Sequence, residues 1–189
     1  MPDFTLTSAP PLAGYKRSFG SVTLQAPNDL AIVSVAFPLG EEAAAEKAVK
    51  TAFGVALPDV GKSGTAKDAS VRVARLGIDQ AFVLFTHPTP DAEPYVAGKF
   101  KGKAYTTDQT DSWSSLELSG PDSRRVLERI CPLDLHDSTF AINDVARTSM
   151  EHLGSIIVRS GPDTYLLLSA SSSAKTFLHA VETSIANVL

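Results

Sequence analysis

One cysteine, Cys131, stands among 189 residues, so the chain can close no internal disulfide, which fits a reducing compartment. Aromatic residues make up only 7%. The single basic cluster that interleaves with them is Lys99-Phe100-Lys101-Gly102-Lys103 with Tyr105, too narrow a stacking platform for RNA. It reads as a solvated linker, with contact to an acidic partner surface as second reading. Positive charge is not in surplus: the net charge is -4, with 8 basic and 10 acidic residues up to Ala97 and 9 and 11 beyond it. Neither half is an arm for nucleic acid. Long apolar runs are missing too. The longest, Leu30 to Leu39, is broken by Ser34 and Pro38 and falls well short of the roughly 20 residues a membrane span requires. Asp3 and scattered polar residues occupy the place where a signal peptide needs a continuous apolar stretch. The expectation is a cytoplasmic protein with neither membrane nor nucleic acid as partner.

Complete nucleotide-binding fingerprints are also lacking. Gly61-Lys62-Ser63 resembles the end of a P-loop, but the first glycine of that motif would fall on Ala56, and no helical pattern follows. The histidines, His87, His136, His152 and His179, never stand four apart as helical metal ligands do. Asp134-Leu135-His136-Asp137, with Cys131 before it, is the densest polar cluster, yet its composition is equally that of a helix-capping turn. Cys131 sits in no thiol-nucleophile signature and reads as a small apolar residue closing a buried stripe. No catalytic, cofactor-binding or metal-binding residue is assigned, and the isolated chain is expected to be colourless and metal-free.

What the chain does have is periodicity, with 43% hydrophobic and 20% charged residues as in ordinary globular proteins. Leu116 and Leu118 alternate with polar residues as in a half-buried strand, and Val126, Leu127, Ile130 and Cys131 then take helical spacing. Gly120-Pro121-Asp122 marks the switch, Gly120 reading as N-cap, Pro121 as first helical residue and Pro132 as the stop. Residues 145–151, 155–160 and 164–169 read as strands, the last two joined by a turn at Gly161-Pro162-Asp163. Upstream, residues 22–25 and 30–37 read as strands, 41–53 as a helix stopped by Gly54, 59–69 as a loop and 71–75 with 80–85 as a hairpin. A final helix starts in Ser171-Ser172-Ser173 and buries Phe177, Leu178, Val181, Ile185 and Val188.

An internal repeat links these elements. Arg75-Leu76-Gly77-Ile78-Asp79 lines up with Arg159-Ser160-Gly161-Pro162-Asp163, and Gly40 with Gly120. The fold class read from this is α+β, with two pseudo-repeated strand-helix-hairpin units. Residues 1–20, with Ala9-Pro10-Pro11, form an extended arm; 21–189 form one pseudo-symmetric domain, its halves about 21–104 and 105–189.

Four residues stand out as candidates for a partner surface: Trp113, Arg147, Glu151 and His152. Alternation puts Trp113 on the face opposite Leu116 and Leu118, exposed unless a second helix layer or another chain covers it. Arg147 and Glu151 read on one face, and His152 on the other, of a strand that also carries Val145 and Met150. The competing reading is an internal ion pair of Arg147 with Glu151 or Asp144.

Asp108-Gln109-Thr110 followed by Leu116-Glu117-Leu118-Ser119-Gly120-Pro121-Asp122 and Leu127-Glu128-Arg129-Ile130 resembles the folate-binding domain of glycine-cleavage aminomethyltransferases. Cys131-Pro132-Leu133-Asp134-Leu135-His136, Val145-Ala146-Arg147-Thr148, Glu151-His152-Leu153-Gly154 and Leu166-Leu167-Leu168-Ser169-Ala170 more closely resemble the gamma subunits of heterotetrameric sarcosine oxidases. That resemblance implies an accessory subunit of a cytosolic complex with alpha, beta and delta partners. The complex so implied carries FAD, FMN, NAD and zinc and oxidises sarcosine to glycine, with tetrahydrofolate taking the one-carbon unit. Aminomethyltransferases place an acidic pair just before the strand equivalent to Ile156-Ile157-Val158, where this chain reads Leu153-Gly154-Ser155. The resemblance therefore implies a folate-binding fold without folate chemistry; a free-standing folate-binding protein is the alternative.

Overall fold

The computed structural model describes residues 9–189, so the first eight residues of the expected arm lie outside the described residues. After a short strand β1 (Lys16–Phe19), the first unit runs β2 (Val22–Gln25), β3 (Leu30–Ala36), α1 (Glu42–Phe53), β4 (Ser63–Thr65), β5 (Val71–Arg75), β6 (Gln80–Thr86) and α2 (Ala92–Phe100). The second repeats the order: β7 (Tyr105–Asp108), β8 (Trp113–Ser119), α3 (Ser123–Glu128), β9 (Val145–Met150), β10 (Leu153–Gly161), β11 (Thr164–Ala170) and α4 (Ala174–Val188). The α+β class and the repeat are as read from the sequence.

Two antiparallel sheets result, ordered β4-β5-β6-β3-β7 and β1-β2-β8-β11-β10-β9. Each contains four neighbours from one unit plus the leading strand of the other: β7 pairs with β3, and β2 with β8. The sheets stack face to face and the helices cover their outer faces. Strand alternation sets this arrangement. In the smaller sheet Val33, Val35 and Val83 face Val49, Phe53 and Phe100 of the helices, while Ile32, Phe82 and Leu84 meet Ile156, Val158 and Leu168 of the larger sheet. On its far side the larger sheet turns Leu116, Leu118 and Ile157 toward Leu127, Phe177 and Val181.

Several local readings need correction. The segment read as a solvated linker, Lys99 to Lys103, begins inside α2, whose Ala92, Val96 and Phe100 are buried at helical spacing; Pro94 sits in its first turn, where a missing N–H costs nothing. The loop at 59–69 includes β4, and the arm at 1–20 includes β1, paired with β2, while Leu12 is buried in the core. The N-cap of α3 is Asp122 rather than Gly120, and the helix ends before Cys131. Gly120 serves another purpose: its φ is 123°, and a Cβ there would stand 2.1 Å from the Ser21 carbonyl oxygen. Only glycine lets these two chain segments pass.

The two units meet at a pair of matching turns. Gly61 has φ 80° and Asn143 φ 74°. Asparagine is among the few residues besides glycine that tolerate this region. Ser63 N–H donates to Asn143 O at 2.6 Å, and Val145 N–H to Gly61 O at 2.9 Å, a reciprocal bridge across the pseudo-twofold axis. Lys62 Nζ donates to Asp144 Oδ1 at 2.6 Å beside it. The equivalence extends to the hairpins. Arg75 donates to the carbonyls of Pro58, Gly77 and Ile78; Arg159 does so to those of Phe140, Gly161 and Pro162.

Asp144 is buried and also accepts from Ala141 N–H, whereas the Lys62 side chain is half exposed. Lys62→Ala leaves the buried Asp144 carboxylate without its counter-charge, so it should cost at least as much in urea unfolding as Asp144→Ala, about 1–3 kcal/mol each. Arg159, through a hydrogen bond and then its charge, holds the Asp137 carboxyl below the usual carboxylate range. With the folded pKa depressed, the pair stabilises the fold above the unfolded value of about 3.9 and loses that contribution as pH falls through the folded value. Melting curves between neutral and acid pH should show a shallower acid decline for Asp137→Asn than for the parent chain.

Candidate functional site

The four candidate residues share one end of the larger sheet. Cross-strand register places Ser114, Ser169, Ser155 and Thr148 in one row, with Trp113 just outside it and Arg147 just inside. Two strands, β11 and β10, separate β8 from β9, so Trp113 stands about 14 Å across the sheet from the other three. Glu151 and His152 form the β9–β10 turn, Arg147 lies four residues before Glu151 on β9 and is bound to Gln80, and Trp113 joins neither.

Trp113 packs edge-on against Phe82 at 5.9 Å, so the partner covering it is the other sheet rather than a helix layer. Its Nε1–H is buried without a partner among the described residues. The indole borders a cavity of about 120 Å³ that also exposes His87, Asp108 and Asp111. Arg147 donates from Nη2 to Gln80 Oε1 at 2.8 Å, tying the edge strand β9 to β6 of the other sheet. The ion pair considered for it does not form, since Asp144 belongs to Lys62.

Glu151 and His152 lie on no strand face. They are the two central residues of the β9–β10 turn, with φ of 44° and 67°. Met150 and Leu153 pair across it. Positive φ at both positions is the type I′ pattern that matches hairpin twist and favours Asn-Gly, so a Glu-His pair here holds strain. Glu151 N–H donates to Ile130 O at 3.1 Å, which fixes the turn against the chain leaving α3. Beside it runs a groove of about 340 Å³ between Arg129, Glu151, His179, Thr183 and Asn187.

The polar cluster after Cys131 is a capping turn. Asp134 accepts from His136 N–H, His136 Nδ1 bonds Ser138, and Asp137 pairs with Arg159 and Arg124. Cys131 Sγ lies 3.8 Å from Thr148 Oγ1. Among the described residues, no group of three or more His, Cys, Asp and Glu is placed to hold a metal ion. No helix among them is long and apolar enough to cross a membrane.

Sequence reasoning missed a stack of Phe85, His87 and Tyr95 topped by Lys99 Nζ, 4.7 Å from the Tyr95 centroid. Its signal was the spacing of Asp91, Tyr95 and Lys99, which becomes visible only once α2 is a helix.

No family model matches the chain. Over 126 residues, 66% of this chain, it is 29% identical to the sarcosine oxidase subunit gamma of Arthrobacter sp. Over 135 residues it is 28% identical to the subunit of that name from Corynebacterium sp. strain U-96. The chain spans 62% and 64% of the length of these relatives. A chain of heterotetrameric sarcosine oxidase from Corynebacterium sp. U-96 superposes with a TM-score of 0.76 at 24% identity, covering 88% of this chain and 84% of that one. Aminomethyltransferase T of the glycine cleavage system from Bartonella henselae gives a TM-score of 0.64 at 15% identity, over 85% of this chain and 45% of that enzyme. The chain shares the fold of both, and the resemblance read from its second half is borne out: it is similar in sequence to the gamma subunits of sarcosine oxidase.

Proposed function

We propose that this chain is an accessory, non-catalytic gamma subunit of a heterotetrameric sarcosine oxidase, a complex that demethylates sarcosine to glycine with tetrahydrofolate as one-carbon acceptor. Alpha, beta and delta subunits supply FAD, FMN, NAD and zinc in this reading, and the present chain supplies a docking surface. The observation that carries it is the sequence likeness to gamma subunits over 66–70% of the chain. The fold likeness favours the same side, taking in 84% of the sarcosine oxidase chain but 45% of the aminomethyltransferase. A free-standing folate-binding protein is the second reading, and fold alone speaks for it. Leu153, Gly154 and Ser155 stand where its carboxylates would be needed to orient folate.

Within this reading, the docking surface is the exposed β9–β10 tip with Arg147, Glu151 and His152, and Trp113 at the other side of the sheet end. A strained turn with two exposed polar side chains is a rigid projection, and rigidity lowers the ordering cost of association.

Coexpression with the alpha, beta and delta subunits should yield a complex that retains this chain through gel filtration. An isolated chain that instead binds tetrahydrofolate in calorimetry and ignores the other subunits supports the second reading. Replacing Glu151-His152 by Asn-Gly should stabilise the isolated chain by about 1 kcal/mol through relief of the turn. It should also weaken assembly by about 1–3 kcal/mol by removing both side chains. A more stable variant that assembles normally places the docking surface elsewhere. Trp113→Ala should lower the melting temperature of the isolated chain, because it leaves Phe82 without its packing partner.

A further inference from the structure

On the side of the molecule opposite Arg147, the two sheets part to leave a cleft of about 300 Å³. Its origin is a break in the pseudo-symmetry. Arg147 closes the sheet stack by reaching Gln80, but the position of β4 that corresponds to Arg147, by the match of Ser63 to Val145, is Thr65. Threonine cannot reach across, and it borders the cleft instead.

The two walls carry opposite charges that do not meet. Arg72 alternates with Val73, which faces the helices, so its side chain lies on the inter-sheet face with Ala74. Its Nη1 donates to Ser63 Oγ at 2.9 Å and Asn143 Oδ1 at 3.0 Å, while Nε and Nη2 have no acceptor among the described residues. Burial lowers its pKa and no carboxylate opposes that effect. Glu117, from β8 of the facing sheet, accepts from Gln25 Nε2 at 2.8 Å. Neither Arg72 nor Glu117 forms an ion pair among the described residues, although both line the cleft. Leu84 and Leu166 add an apolar surface between them.

A half-buried guanidinium without a counter-ion invites a carboxylate that can take two of its donors. Packed sheets lie roughly 10 Å apart, so a charged group on each wall leaves space for one small molecule between them. We propose that this cleft binds an α-amino acid with an apolar side chain, its carboxylate on Arg72, its ammonium on Glu117 and its side chain on Leu84 and Leu166. The pattern of a few convergent polar groups over an apolar surface is that of small-molecule sites generally. The proposal stands apart from the subunit reading, and the full chain alone tests it.

The experiment is calorimetric titration of the purified full chain with L-leucine, 4-methylpentanoate, which lacks the amine, and 3-methylbutylamine, which lacks the carboxylate. Leucine should bind saturably, and each analogue at least tenfold more weakly, as expected for loss of one charge-assisted contact. Glu117→Gln should reduce leucine binding to the level of 4-methylpentanoate and leave 4-methylpentanoate itself unchanged. Arg72→Lys should weaken both. No saturable heat with leucine at millimolar concentration, or leucine binding unaffected by Glu117→Gln, overturns the proposal. The second criterion holds even if Arg72→Lys fails to fold.

Discussion

The reciprocal backbone bridge between Gly61 and Val145 and between Asn143 and Ser63 is the contact on which the rest of this structure depends. Each turn needs a residue at positive φ to reverse the chain, and each then offers its carbonyl to the N–H two residues past the other turn's reversal. A buried carboxylate, Asp144, sits beside the bridge, and Lys62 supplies its counter-charge from the other unit. The lysine ammonium remains partly in water, so the pair avoids most of the desolvation that two fully buried charges would suffer. The bridge helps set the register of two sheets whose contact is otherwise mostly apolar, with Arg147–Gln80 and Arg72–Asn143 as polar exceptions, and apolar side chains specify burial but not register.

Strand exchange makes that register matter to the whole chain. Because β2 completes the sheet of the second unit and β7 that of the first, neither half can bury its central strand alone. Gly120 lies where the exchanged segment passes: the backbone of Ser21 runs so close that any side chain would collide, and Ser21 Oγ then donates to Asp122 Oδ2 at 2.6 Å. A single small residue thus couples the entry of β2 to the start of α3.

Departures from the symmetry are where function has room to reside. The two arginines at the hairpin tips hold matching sets of carbonyl oxygens in both units, and Arg159 alone adds an ion pair, to Asp137. Where the units differ, Arg147 against Thr65, one side of the sheet stack is latched and the other is open. The β9–β10 turn likewise stands out, since its Glu-His pair takes a conformation that asparagine and glycine fill with less strain. The strained turn lies away from the bridge, whereas the open cleft borders it through Arg72, which bonds Ser63 and Asn143.

The sequence by itself determined the class of fold, the doubled unit and most of its strands, because period-two alternation and the Arg-x-Gly hairpins are local signals that survive without a partner. It also determined the resemblance carried by residues 131–170, which the comparisons with gamma subunits support. It did not determine α2, since Pro88, Pro90, Pro94 and Gly98 mask three buried positions whose helical spacing pays off only against α1 and β3. Nor could it place Glu151 and His152 on a turn, because propensity disfavours them there and only the pairing of Met150 with Leu153 requires it. Tertiary structure alone decided that Trp113 meets Phe82, that Arg147 meets Gln80 and that Arg72 faces Glu117 across a cleft. Those pairs join residues from different units, and their distances depend on how two sheets stack, a quantity that no local pattern encodes.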